Sequence, residues 1–222
     1  MIKCNNVAFA FDEHVIFTDV NVSIQKGEFV YIVGETGCGK TTLMRLLYMD
    51  IFPTTGVVRV DTFSSSSVKK RKLFQLRRKL GIIFQDYKLL EDRSVYENIT
   101  FALQAVGFST RDMKMQAAHA LTKVGLIHRR NSPIGELSGG EQQRLSIARA
   151  IAKEPIAILA DEPTGNLDPA TSADILGLLR KINLGGTTIL LATHNYELIR
   201  KFPARTIAIR NYRCEELDPM SL

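Results

Sequence analysis

Between Gly34 and Thr41 the chain reads Gly-Glu-Thr-Gly-Cys-Gly-Lys-Thr, which fits the phosphate-binding P-loop spacing G-x-x-x-x-G-K-S/T. Glycines let the backbone curl so that its N–H groups, with a helix N-terminus behind them, face a polyphosphate. The context the pattern requires is present. An apolar run over residues 29–33 precedes it, and Leu43, Leu46 and Leu47 continue it with helical spacing. The segment Gly34, Glu35, Thr36, Gly37, Cys38, Gly39, Lys40, Thr41 and Thr42 is therefore expected to cradle phosphates. Lys40 reaches toward the β- and γ-phosphates and Thr41 offers its hydroxyl to Mg²⁺. A plain glycine-rich turn capping a helix is the competing reading, and the strand-then-helix context weighs against it.

Around this loop the chain reads as α/β. Residues 2–11 and 20–24 alternate loosely, as short strands do, and Gln25-Lys26-Gly27-Glu28 forms a turn into the loop's strand. Phe11 stands where a ring can stack on a base, although an aromatic in a strand is by default a core residue. Pro53-Thr54-Thr55-Gly56 is turn chemistry before a strand at 57–60, and residues 80–85 form a short buried strand ending on Gln85. From about residue 87 to 153 the pattern becomes helical. Ser94 and Glu97 have capping-box spacing, Gly107 closes that helix, and Ser109 to Asp112 starts the next. Ser138, Gly139 and Gly140 open a further helix, with Glu141 again at capping-box spacing, which makes a second anion-binding N-terminus conceivable. Residues 156–162 run from apolar to the carboxylates Asp161 and Glu162, the mark of a buried parallel strand. Asp168-Pro169 then starts a helix that Gly185-Gly186 ends, and an apolar run over 188–192 leads to His194. Strand, helix, strand implies a parallel sheet. The expected organisation is one domain of 222 residues, with 1–86 and 154–222 as core and 87–153 as an inserted helical lobe.

Composition excludes several alternatives. No apolar run approaches the ~18 residues that cross a bilayer, and the N-terminal residues show no secretory h-region. Cys4, Cys38 and Cys214 form no C-x-x-C pair, so a disulfide framework or a zinc site is not expected and a reducing cytoplasm fits. The net charge of +6 suggests nucleic acid until it is located: seven cations lie between Lys69 and Lys79 with no acid among them. That run reads either as a solvated helix face or as a patch attracted to anionic lipid or an acidic partner. The Cys38 thiol, near Lys40 and a helix start, is expected to be thiolate-prone, unless it is simply a small residue filling the loop.

Ligands of an open α/β sheet sit beyond the carboxyl ends of its strands. Lys40 with Thr41, Gln85, Asp161 with Glu162, and His194 all fall at such ends. Phosphoryl transfer needs charge neutralisation, Mg²⁺ and a positioned water. Asp161 suits the metal, with Thr41 and Gln85 beside it. Glu162 suits the attacking water, and His194 the γ-phosphate.

These pieces resemble, in order, the motifs of the ABC-type ATPase family: Gly34 to Thr41 (Walker A), Gln85 (Q-loop), Leu137 to Gln142 (signature), Leu159 to Glu162 (Walker B), Asn166 to Asp168 (D-loop) and His194 (H-loop). The resemblance spans essentially the whole chain. It implies a P-loop NTPase cassette with a mainly parallel sheet core, an N-terminal antiparallel β part and an inserted helical lobe. It implies ATP and Mg²⁺ as ligands. It also implies a head-to-tail homodimer in which Ser138, Gly139 and Gly140 of one subunit close on ATP held by the other, with Asp168 nearby. The catalytic set would be Glu162, His194, Gln85 and Lys40. The stretch 161–168 looks like the branch holding cell-division, lipoprotein-releasing and macrolide-export ATPases, which act with an integral membrane partner at the cytoplasmic side of the cell membrane. Phe11 stands where the family commonly has Tyr, Cys38 is an uncommon loop residue, and Met49 replaces a frequent small residue. None of the three removes a catalytic group. A soluble family member acting on nucleic acid or ribosomes is the rival reading. It usually resembles two fused cassettes, which this chain does not.

Overall fold

The computed structural model describes residues 1–219. β1 (Ile2–Phe11) and β2 (His14–Ile24) form a hairpin, and β3 (Phe29–Val33) leads to α1 (Lys40–Leu47). β4 (Thr55–Val60) and β5 (Phe63–Ser64) precede α2 (Leu73–Lys79) and β6 (Leu80–Ile83). Three helices follow: α3 (Val95–Val106), α4 (Thr110–Val124) and α5 (Gly139–Ile151). The chain then passes through β7 (Ala157–Asp161), α6 (Pro169–Leu184), β8 (Thr188–Ala192), α7 (Tyr196–Lys201), β9 (Arg205–Arg210) and β10 (Arg213–Leu217).

Two sheets result. An antiparallel one has the order β2-β1-β4-β5, and a larger one the order β10-β9-β3-β8-β7-β6, parallel from β9 to β6 with β10 antiparallel at its edge. Because side chains alternate along a strand, β3 feeds both faces. Phe29, Tyr31 and Val33 join the core under the helices α3 to α7, while Val30 and Ile32 join the core shared with α1 and the antiparallel sheet. Every residue of β3 is buried, which is why it reads as a continuous apolar run rather than an alternating one.

The helix caps fall where expected. Ser94 and Ser138 each form the full capping box, Ser109 accepts from the Asp112 amide, and Gly107 ends α3 in the left-handed conformation. Two strand boundaries differ. β2 begins at His14, six residues before the expected start, because bulges in its pairing with β1 interrupt the alternation that marks a strand in sequence. Likewise β4 absorbs Thr55 and Gly56 from the expected turn. Gly56 takes φ 79°, and a Cβ there would fall 2.2 Å from the Asn6 carbonyl oxygen, so only glycine lets the two strands approach.

The basic run is not uniform. Lys70–Lys72 form a 3₁₀ turn and α2 follows. Arg77 donates to the carbonyls of Tyr48 and Met49, Arg78 to that of Ala105, and Lys79 pairs with Asp61 at 2.7 Å. The cations left to solvent are Lys69, Lys70, Arg71 and Lys72, beside the exposed Phe74.

Candidate nucleotide site

β3, β8, β7 and β6 are adjacent and parallel, so their carboxyl ends share one edge, and the order along it is the glycine loop, His194, Asp161 with Glu162, and Gln85. A cavity of 240 Å³ opens there, lined by the loop from Thr36 to Thr42 together with Gln85, Glu162 and His194. Gly39 caps α1 at φ 110°, where a Cβ would strike Ile16 at 2.8 Å and Phe17 at 2.9 Å. The loop is thus pressed onto the antiparallel sheet.

Lys40 is buried, and its ammonium curls back over the loop. It donates to the Gly34 carbonyl at 2.9 Å and the Glu35 carbonyl at 3.1 Å, with Glu162 Oε1 3.6 Å away. That same Glu162 oxygen lies 2.9 Å from His194 Nδ1. The alternation along β7 turns Asp161 toward the α1 face, the face of Ala157 and Leu159. Glu162 then breaks the extended run at φ 47°, while its amide donates to the Ala192 carbonyl. A left-handed glutamate is strained backbone of the kind found at functional sites. Here it redirects the carboxylate to Lys40 and His194.

Asp161 carries the clearest electrostatic signal. Burial raises its pKa above the usual carboxylate range, with the Glu162 charge adding to the rise and the Thr41 hydroxyl and Lys40 opposing it. Its Oδ1 is buried without a hydrogen-bond partner. A buried acceptor beside a threonine hydroxyl suits a hard cation with oxygen ligands. No group of three or more His, Cys, Asp or Glu among the described residues is arranged to hold a metal ion.

Ser138, Gly139 and Gly140 line a different cavity, of 360 Å³, with Asn166, Leu167 and Asp168, and it shares no residue with the first. Ser138 is engaged in capping α5, its hydroxyl 3.0 Å from Glu141 Oε2. Asp168 caps α6 by accepting the amides of Ala170 and Thr171 at 3.0 Å, and its pKa is lowered by its bonds to Thr171. One chain therefore carries two separated cavities at these residues.

Phe11 lies outside both cavities, at the tip of the β1–β2 hairpin, 42% exposed and edge-on to Phe9 at 4.8 Å. Next to the loop, a 260 Å³ cavity is lined by His14, Val15, Ile16, Gly37 and Cys38 with residues 209–212 of the β9–β10 hairpin. Nothing in the sequence pointed to that hairpin, since only the order of the sheet brings it beside the loop. One expectation is overturned: Cys38 is not thiolate-prone. Burial raises its pKa more than Lys40 lowers it, and a Cβ built on Gly34 would meet its Sγ at 2.6 Å, so the sulfur packs onto the loop backbone.

Comparison with known proteins gives the chain its relatives. The chain is 50% identical over 194 residues to the cell division ATP-binding protein FtsE of Streptococcus pneumoniae, covering 87% of this chain and 84% of that one. It is 41% identical over 212 residues to FtsE of Bacillus subtilis, covering 95% and 93%. Among solved structures it resembles the dimeric post-hydrolysis state of the ATP-binding cassette MJ0796 bound to ADP and Pi, with TM-score 0.86, 32% identity and 99% of both chains covered. It also resembles cbiO1 of Clostridium perfringens, part of the ABC transporter complex cbiONQ, with TM-score 0.91, 26% identity, and 99% and 89% covered. Residues 17–165 match the family model described as ABC transporter, and the chain belongs to that family.

Proposed function

We propose that this chain is the ATP-binding and ATP-hydrolysing subunit of an ABC-type membrane complex that works in cell division, driving a permease subunit of the FtsX kind by ATP-dependent closure of a homodimer. The observation that carries the reading is the division of labour within one chain. The glycine loop, Glu162 and His194 form one cavity, and the signature residues form another that a second copy can bring to it. The relatives' names set cell division above lipoprotein release or macrolide export.

In this mechanism the loop amides and Lys40 hold the β- and γ-phosphates, with the ammonium leaving its carbonyl partners to do so. Thr41 and Asp161 would hold Mg²⁺, with Gln85 at the rim, and the ion would neutralise phosphate charge when bound. Glu162 takes a proton from the attacking water, and His194 Nδ1, already on its carboxylate, keeps that side chain aimed. The adenine leaves the loop along the cavity lined by His14, Val15, Ile16 and residues 209–212, which the Phe11 ring, edge-on to Phe9 at the hairpin tip, does not line.

Among the described residues no helix is long and apolar enough to cross a membrane. Attachment to the cytoplasmic face then falls to the permease. Lys69 to Lys72 add attraction to anionic lipid, at about 1 kcal/mol for each charge near the surface.

Mixing inactive variants tests the dimer. Ser138→Arg and Lys40→Ala each spoil both sites of a homodimer, but a mixed dimer rebuilds one intact site. Random pairing therefore restores about a quarter of wild-type sites. A mixture as inactive as its parents, under conditions where light scattering shows ATP-dependent dimers, defeats the proposal.

A further inference from the structure

The hairpin from β9 to β10 turns on two residues, since Arg210 pairs with Arg213 and leaves Asn211 and Tyr212 between them. Both are left-handed, at φ 47° and 62°. Positive φ at both central residues is the type I′ requirement, which Asn-Gly meets best. Asn211 follows that preference and Tyr212 departs from it. A bulky side chain in this region is strained, and burial does not repay the cost, because Tyr212 is 55% exposed. Its ring meets no other ring among the described residues. Folding alone therefore favours glycine at this position, and the tyrosine calls for another reason.

The backbone that carries the ring is pinned. The Tyr212 carbonyl accepts the Thr18 amide at 3.0 Å, with the Thr18 hydroxyl 3.5 Å away, so the hairpin is tied to β2. What the ring faces is the 260 Å³ cavity beside the glycine loop. Gly37 lines both this cavity and the catalytic one, so the two meet at the loop. Among the lining residues Tyr212 alone carries a six-membered aromatic ring. Phe11 pairs across its own hairpin with His14 but does not line the cavity.

We infer that Tyr212 is the platform on which the base of the bound nucleotide stacks, so that the β9–β10 hairpin, and not Phe11, supplies the ring. This rests on the ATP-binding reading above. A nucleotide whose phosphates occupy the glycine loop extends its base into the adjoining cavity, where a pinned, solvent-facing ring offers a flat apolar surface. Stacking of this kind is tolerant of base identity, so the ring contributes affinity to any base that enters. The strain at φ 62° is the cost of holding an aromatic where the turn prefers glycine.

The test uses the full-length protein, with MgATP and inorganic tripolyphosphate as probes; the second carries a phosphate chain without a base. Tyr212→Gly removes the ring and relieves the backbone. It should melt about 2 to 4 °C higher without ligand, yet bind ATP about tenfold more weakly, which is 1.4 kcal/mol and within the range of base–aromatic stacking. Displacement of ATP from the wild type gives the tripolyphosphate affinity, and Tyr212→Gly should leave that affinity within about twofold. Tyr212→Phe keeps the face and should match the wild type with both probes. Phe11→Ala should weaken ATP less than Tyr212→Gly does. ATP affinity within twofold of wild type in Tyr212→Gly overturns the inference. So does an equal loss with both probes, which would mean that the substitution disturbs the loop and not the base. A larger loss in Phe11→Ala than in Tyr212→Gly puts the base on the β1–β2 hairpin, and the inference fails while the ATPase reading stands. If the wild type binds tripolyphosphate but gains nothing from the base of ATP, both fall.

Discussion

Replacing Glu162 with Gln is the sharpest test of the site, because the structure gives that carboxylate two opposing jobs. With nucleotide absent, Glu162 is the counter-charge of Lys40, whose ammonium lies 3.6 Å from Oε1 with the two side chains 7% and 11% exposed. Coulomb's law at an effective dielectric of ~20 puts the gross attraction at that separation near 5 kcal/mol. Much of it is offset by desolvation of the two groups, and the bonds from Lys40 to the Gly34 and Glu35 carbonyls survive the substitution. A net loss of about 1 to 1.4 kcal/mol on Glu162→Gln is the remainder once desolvation is set against that attraction, the pair lying beyond hydrogen-bonding distance. The unliganded protein should therefore melt at a lower temperature than the wild type. ATP, whose phosphates return the missing negative charge, should bind about five- to tenfold more tightly and recover the lost stability. Loss of a carboxylate beside the phosphates acts in the same direction. Turnover moves the other way, falling by roughly the 10² to 10⁴ ascribed to general-base catalysis.

Calorimetric titration with ATP, thermal melting with and without nucleotide, and steady-state phosphate release measure the three effects on one preparation. Wild-type turnover in Glu162→Gln would falsify the assignment of the base. Slow turnover with unchanged or weaker ATP binding would leave the base standing but refute the claim that Lys40 rests on Glu162 and must be drawn off it.

Three other outcomes follow from the electrostatics and surface. Burial holds the Asp161 pKa above its unfolded value, so its contribution to stability is present at low pH and lost as pH rises through the folded pKa. Asp161→Asn should accordingly stabilise the unliganded protein at pH 7 while abolishing Mg²⁺-dependent hydrolysis, and a lower melting temperature would contradict it. Lys153, which donates to the Arg77 carbonyl, is depressed by burial and by Arg149 to about 8 from 10.5. The unfolded chain then binds more protons between those values, and stability relative to Lys153→Met should rise by about 2 kcal/mol from pH 8 toward pH 10.5; a flat difference in pH-dependent urea melts would refute it. Leu90 is half-buried in the segment joining Gln85 to α3, with its backbone pinned by the Asn98 amide. Leu90→Asp should release the protein from membranes of cells that contain the permease, with basal ATPase retained; release by high salt alone would shift the attachment to Lys69 to Lys72.

How much of this was legible in the sequence depends on how local each signal is. The three serine caps and the glycine loop were readable because their partners lie within a few residues, and the carboxyl-end placement of Gln85, Asp161 and His194 followed from strand-helix-strand order. The left-handed turn of Glu162, which decides where its carboxylate points, leaves no mark in residue type. Neither does the pairing of Arg77, Arg78 and Lys79 with carbonyls and Asp61, which turned an apparent patch of seven charges into four solvent-facing ones. Cys38 shows the limit most clearly. A nearby lysine and a helix start both favour a thiolate, and both are visible in sequence, but burial outweighs them, and burial is set by how the folded loop packs the sulfur onto its own backbone and against its neighbours. Arg149 is the reverse case. In sequence it is one more cation on a helix, and only the fold brings its guanidinium onto the carbonyls of the left-handed residues Tyr87 and Lys88, about sixty residues away. Local chemistry was thus enough to place these side chains along the sheet edge. The contacts that orient them, such as those of Glu162 with Lys40 and His194, come from segments the sequence keeps far apart, so those are the contacts that the Glu162 substitution tests.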